Sequence, residues 1–295
     1  MLGVPASRRV LFRLATSERW ERFVRATPLG EGWAWRAARR YVAGTTRDAA
    51  FDVVRELGRS GVGTSVDQFG ELVDKPVVAE STAADYLRLA GDLGALPEST
   101  WLAVDLSHLG LDIDRRRCGE HLAAIAAALP TGRRVQVGAE DHDRADAVVS
   151  CVLDASRRAG AERLGATVQA NFHRSAGDLE RLVDAGVHVR LVKGAYVEPL
   201  SRALPYGEAT DVAYLRLAQR LADASGPFSL ATHDGVLREA LLAAFGPREV
   251  EQLLGVRPDV LADLATRGVP VRVYVPFGEG WFRYWMRRVA EAQGT

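Results

Sequence analysis

Three groups of side chains in this 295-residue chain have types and spacings suited to chemistry. The first lies in VRLVKGAY (189–196). Read as a strand, it sets Arg190 and Val192 on one face and Val189, Leu191 and Lys193 on the other. Gly194 and Ala195 then leave the backbone open to a close ligand. Lys193 is one of two lysines among 38 basic residues, Lys75 being the other, so arginine has been avoided there. A compact ammonium suits a Schiff-base nucleophile of the barrel-aldolase kind, or a cation that holds an anionic cofactor group. It also suits a surface lysine before a turn glycine. The second group lies near the C-terminus. At 100° per residue, Tyr284, Arg287, Arg288 and Glu291 fall within roughly one third of a helix circumference. Phe282, Trp285, Met286 and Val289 fall opposite. Adjacent arginines offer two forks to a carboxylate; the alternative is an ordinary solvated face.

The third group is a set of polar residues that each follow a short apolar run. They are Asp105, Ser107 and His108; Glu140, Asp141 and His142; Gln169, Asn171, His173 and Arg174; Thr232, His233 and Asp234; and Tyr274. The histidines lack paired His/carboxylate spacing on one strand, so no metal centre is expected.

These groups need a scaffold, and the pattern supplies one. Eight β-branched runs recur: 61–67, 101–106, 134–139, 165–170, 187–192, 228–232, 249–254 and 271–276. Amphipathic helical patterns lie between them, for instance at 118–129, 142–160 and 212–224. Several runs are apolar on both faces, as parallel strands covered by helices are. Eight strand–helix units predict a (β/α)8 TIM-like barrel of the α/β class, with its site at the C-terminal strand ends. The run at 249–254 is the weakest of the eight. A doubly wound sheet is the alternative, but no Gly-x-Gly-x-x-Gly opens a helix after an early strand. Residues 1–60 read as an N-terminal helical extension and 61–295 as the barrel. In the extension, Leu11, Leu14, Trp20 and Phe23 fall at roughly helical spacing, followed by helices near Trp33–Val42 and Asp48–Leu57.

Composition excludes other classes. With 38 basic and 38 acidic residues the net charge is zero, which provides no field for nucleic acid. No apolar run approaches the ~18 residues of a membrane span. Charges interrupt the start too often for a secretory signal. Two cysteines, Cys118 and Cys151, suit a reducing cytoplasm.

Several segments resemble, in order, the flavin-dependent proline dehydrogenase family of bacterial one-function type. They are DQFGE (67–71), VQANFHR (168–174), VRLVKGAYVEP (189–199), ATHD (231–234), EQLLGVR (251–257), VRVYVPFG (271–278) and WFRYWMRRVAE (281–291). The resemblance implies a distorted (β/α)8 barrel that binds FAD, oxidises L-proline to 1-pyrroline-5-carboxylate and passes electrons to membrane quinone. It implies a cytoplasmic protein with peripheral contact at the inner face of the membrane. It matches Arg190 to the arginine beside the reactive flavin nitrogen and Gln169 to the glutamine under the isoalloxazine. Lys193, Gly194, Ala195 and Tyr196 match the stretch that wraps FAD, and Thr232 and His233 match further FAD contacts. Arg287 and Arg288 match the pair that binds the proline carboxylate, Tyr274 and Tyr284 the pocket walls, and Glu291 the carboxylate of the last helix.

The chain departs from the family pattern in three places. Asp105 stands where a lysine for the substrate carboxylate is usual, Gly138 stands where an aspartate is usual, and 250–254 is a thinned Phe-Glu-x-Gln-Met-Leu. An acid at 105 is expected to repel a carboxylate and weaken proline binding. The alternatives are therefore an FAD barrel that oxidises another cyclic amino acid, a weakly catalytic FAD-binding relative, and, more remotely, a Schiff-base aldolase using Lys193.

Overall fold

The computed structural model describes residues 18–196 and 198–292. Leu11 and Leu14 lie outside them. Among the described residues three helices lead in: α1 (Glu18–Arg25), α2 (Pro28–Ala38) and α3 (Arg47–Arg59). Thr46 caps α3 by accepting from the amide of Ala49, and the helix runs two residues past the expected Leu57. Strand and helix then alternate: β1 (Gly63–Gln68), α4 (Pro76–Asp92), β2 (Thr100–Val104), α5 (Arg115–Ala128), β3 (Val135–Val137), α6 (His142–Ala159), β4 (Leu164–Gln169) and α7 (Ser175–Asp184). The second half follows as β5 (His188–Val192), α8 (Glu208–Asp223), β6 (Phe228–Ala231), α9 (Gly235–Phe245), β7 (Glu249–Leu253), α10 (Pro258–Thr266), β8 (Val271–Phe277) and α11 (Trp281–Ala292).

The eight strands close into one parallel barrel in sequence order, β8 pairing with β1 through Ser65↔Tyr274 and Asp67↔Pro276. The fold is the (β/α)8 barrel that the alternation predicts. Even the weakest run is a full member, with Leu230↔Val250 on one side and Glu251↔Arg272 on the other.

Strand residues that point outward, such as Val189, Leu191 and Val250, are fully buried. Most join one core with helix residues that include Ile125, Val152, Leu182 and Leu217. Ala50, Phe51 and Val54 of α3 belong to the same core. The interior of the barrel is polar. Arg190 on β5 reaches Glu251 on β7 (2.8 Å) and Ser65 on β1 (3.3 Å). His188 contacts Gln136 on β3 at 3.1 Å. Nearer the strand starts, Arg272 bonds Glu249 and the carbonyls of Thr64 and Ser99, with its guanidinium 3.2 Å from the centre of the Trp101 ring.

A second, smaller core fixes α11. Phe282, Trp285 and Met286 pack with Ala34, Ala38 and Val42. Trp281 meets Trp35 edge-on at 5.0 Å and Trp285 meets Trp33 at 6.0 Å. The lead-in helix α2 thus holds the helix that carries the paired arginines.

Candidate active site

Many of the polar residues singled out in the sequence lie at the C-terminal mouth of the barrel; Arg174 instead pairs with Asp146 and Asp178 on the surrounding helices, and Asp141 caps α6 and pairs with Arg144. Their arrangement starts from Arg190. Its guanidinium is buried, and burial alone would expel the charge of its partner Glu251. The adjacent guanidinium outweighs this. With Arg272 and His188 farther off, it brings the Glu251 carboxyl down to about 2. Ser229 also donates to Glu251. Arg190 is therefore a fixed cation on a braced carboxylate, aimed by β5 toward the barrel axis.

Across the mouth sits α11. Tyr284 is 6% exposed, and its ring lies 6.1 Å from Tyr274 on β8 and 5.1 Å from Phe69. The Arg288 guanidinium stands over the Tyr284 ring at 4.9 Å. Arg287 donates to Glu71 at 3.1 Å, and its Nε is buried with no hydrogen-bond partner among the described residues. Arg287 lies in the field of Glu71, Tyr196 and Asp105, which favours a place in the mouth over an ordinary solvated face. The side chain of Glu291 lies outside the described part of the structure.

Carboxyls gather at the ends of β1 to β3. Asp67 accepts from the hydroxyls of Tyr86 (3.0 Å) and Tyr274. Burial pushes it up to about 6, against the opposing pull of those two bonds and of Arg190. Glu140 accepts from the Ser107 amide at 2.9 Å, and burial raises it too. Asp105 is raised well above the ordinary range by burial and then by Asp67 and Glu140, with only Arg287 pulling the other way. Its seat depends on Gly138: a β-carbon there would lie 1.8 Å from Asp105 Oδ1. Burial and the neighbouring carboxyls Asp67, Glu140 and Glu71 favour the protonated form of Asp105, which works against the charge repulsion expected of an acid there.

Asp67 also gives a pH dependence. Its folded-state value lies above the ordinary carboxyl value, so the folded chain holds a proton that the unfolded chain releases. The stability this contributes is present at low pH and is lost as pH rises through about 6. Asp67→Asn, which stays neutral throughout, should gain in Tm relative to the parent between about pH 4 and about pH 7. Paired melting curves across that range check this, and a constant difference would refute it.

The remaining predicted residues sort differently. Gln169 donates to the Glu140 carbonyl at 2.8 Å and accepts from the Ala195 amide at 3.4 Å. Tyr196 donates to the Ala139 carbonyl at 3.0 Å. Gly194 has φ of +119°, and a β-carbon there would meet Asn171 Oδ1 at 2.0 Å. Its missing side chain makes room for Asn171. Thr232 accepts from the Asp234 amide at 3.1 Å. His233 is lowered to about 4 by burial and by Arg288, and its Nδ1 has no hydrogen-bond partner among the described residues. Lys193 is 2.6 Å from Asp211 and 2.7 Å from Asp234. Burial would lower it, but those two carboxylates raise it. A doubly paired ammonium is not a free amine, so the Schiff-base aldolase reading fails. Lys193 meets an anionic group only in competition with these two acids.

Sequence reasoning gave no role to Glu251, Glu71 or Asp67, although it quoted the motifs that contain them. For Glu251 the signal is an acid inside a strand of a closed barrel, which needs a buried partner, and Arg190 is an inward cation two strands away.

Comparison with known proteins agrees with this geometry. The family model described as proline dehydrogenase matches residues 50–295. A protein named proline dehydrogenase from Deinococcus radiodurans is 33% identical over 270 residues, which cover 87% of this chain and 86% of that one. Proline dehydrogenase 1 of Bacillus subtilis is 31% identical over 262 residues, 86% of each chain. Proline utilization A from Bdellovibrio bacteriovorus, solved after inactivation by N-propargylglycine, superposes with a TM-score of 0.82 at 17% identity. That match covers 98% of this chain and 37% of the larger one, and it speaks for the fold.

Proposed function

This chain belongs to the proline dehydrogenase family and is an oxidoreductase, and on that premise we propose that it uses non-covalently bound FAD to oxidise L-proline to 1-pyrroline-5-carboxylate and passes the electrons to a quinone. The observation that carries this reading is the Arg287–Arg288 pair, turned inward over the mouth beside Tyr274 and Tyr284 and facing the end where Arg190 is braced.

The residues present suit a flavin. Asn171 Oδ1 and His233 Nδ1 are buried without hydrogen-bond partners among the described residues. A buried polar atom without a partner is rare unless a ligand or water completes it. Gln169, Arg190, the 193–196 stretch, Thr232 and His233 would hold the group. When bound, the flavin supplies a two-electron acceptor for a hydride leaving the substrate ring. Arg190 presents a charge that needs no rearrangement as negative charge develops near it. Arg287 and Arg288 orient the carboxylate, and Arg287 must exchange Glu71 for it. Tyr274 and Tyr284 wall off water around an apolar ring.

A second reading, oxidation of a different cyclic amino acid by the same site, is favoured by Asp105. No helix among the described residues is long and apolar enough to cross a membrane. We propose that exchange with a membrane quinone uses peripheral contact at the inner face. The test is anaerobic. Purified protein should be yellow, L-proline should bleach it, and a soluble quinone should restore the colour. Yellow protein that proline leaves unbleached would favour the second reading. Colourless protein that takes up no added FAD would overturn both.

A further inference from the structure

We propose that Asp105 selects the substrate: its carboxyl receives a hydrogen bond from a donor group, hydroxyl or ammonium, that the substrate ring bears in addition to its carboxylate and its reacting amine. This rests on the pocket described above and deepens that reading.

Four carboxyls lie on the β1–β3 side of the pocket, and they are not equivalent. Asp67 is taken by the hydroxyls of Tyr86 and Tyr274, and Glu140 by the amide of Ser107. Glu71 is taken by Arg287. The Asp105 carboxyl has no hydrogen-bond or ion-pair partner among the described residues, although it lies in the field of Arg287, Asp67, Glu140 and Glu71. It also acts on Tyr196 and Tyr274, so it shares the pocket with the aromatic wall. A half-buried carboxyl with open valences invites a donor, and the protein supplies none. The seat is purposeful in shape, because Gly138 is the residue type that leaves room for Oδ1. An approaching ammonium would favour ionisation of Asp105, with the proton released to solvent, and form an ion pair. An approaching hydroxyl would bond the neutral acid.

Calorimetry on the anaerobic holoenzyme would measure Kd for L-proline, both epimers of 4-hydroxy-L-proline and both epimers of 4-amino-L-proline. Stopped-flow bleaching would follow oxidation in parallel. At least one substituted ring should bind about tenfold or more tightly than L-proline, and Asp105→Ala should reduce that advantage to within about twofold. Asp105→Asn keeps the shape should the Ala variant not fold. It should remove a preference for the amino ring and keep part of one for the hydroxyl ring. L-proline binding as tightly as every analogue, or an advantage that survives both substitutions, would overturn the proposal. Binding in the expected order with no bleaching by any ligand would instead sink the oxidation reading and leave the selectivity of Asp105 standing.

Discussion

Arg190→Ala is expected to slow flavin reduction by substrate about 10²- to 10³-fold while changing substrate affinity only a few-fold. The rate effect follows from removing a preorganised charge whose partner appears only as hydride moves. The structure adds a second effect. Arg190 is the cation that keeps buried Glu251 ionised, at about 2. Removing it strands a carboxylate inside the barrel, a loss of about 3–5 kcal/mol. For a chain of this size that is a fall in Tm of roughly 10 °C. The two effects separate in the double variant. Arg190→Ala with Glu251→Gln should recover much of the Tm, because the stranded charge is gone, and recover none of the reduction rate. Thermal melts and single-turnover reduction of the two variants are the measurements. Recovery of the rate along with the Tm would mean that Arg190 acts only by holding Glu251.

The next largest effect is expected at α11. Arg287→Ala and Arg288→Ala should each raise KM for the substrate about 10²-fold, a loss of ~3 kcal/mol for breaking a charged hydrogen-bonded contact. The two should differ in stability. Arg287→Ala also releases Glu71 from its 3.1 Å contact, whereas Arg288→Ala removes a cation stacked on Tyr284. Lysine at either position restores the charge without the fork and should recover only part of the affinity. Steady-state kinetics decide the matter. Effects near 0.5 kcal/mol, as at an ordinary surface, would remove α11 from the site.

Much of the scaffold was legible in the sequence, for a physical reason. A parallel strand under a helix must be apolar on its outer face, so Val189 with Leu191, or Leu102 with Val104, announce themselves. The strand at 249–253 read weakly because its other face carries Glu249 and Glu251. Acids in a short run look like a solvated segment until a closed barrel turns them inward onto Arg272 and Arg190. The arginine face of α11 was legible because 100° per residue needs no tertiary information. Which way that face points was not, since the Trp33, Trp35 and Ala38 surface of α2 decides it. Lys193 misled for a related reason. Its rarity was visible, but its partners Asp211 and Asp234 come from α8 and the cap of α9, far along the chain. The pressure on Asp105 to stay protonated was equally hidden. It depends on carboxyls at the ends of two neighbouring strands, which the sequence places 38 and 35 positions away (105 − 67 and 140 − 105).

The fit of Asp105 over Gly138 bears on how this pocket can be re-engineered. A β-carbon at 138 requires Asp105 Oδ1 to shift, while a change at 105 leaves glycine undisturbed. The two positions therefore behave as one epistatic unit with a preferred order of steps. A library that randomises 138 alone screens a displaced Asp105 in every member except the parent. One that varies 105 first, and opens 138 only afterwards, explores new pockets and not damage to the old one.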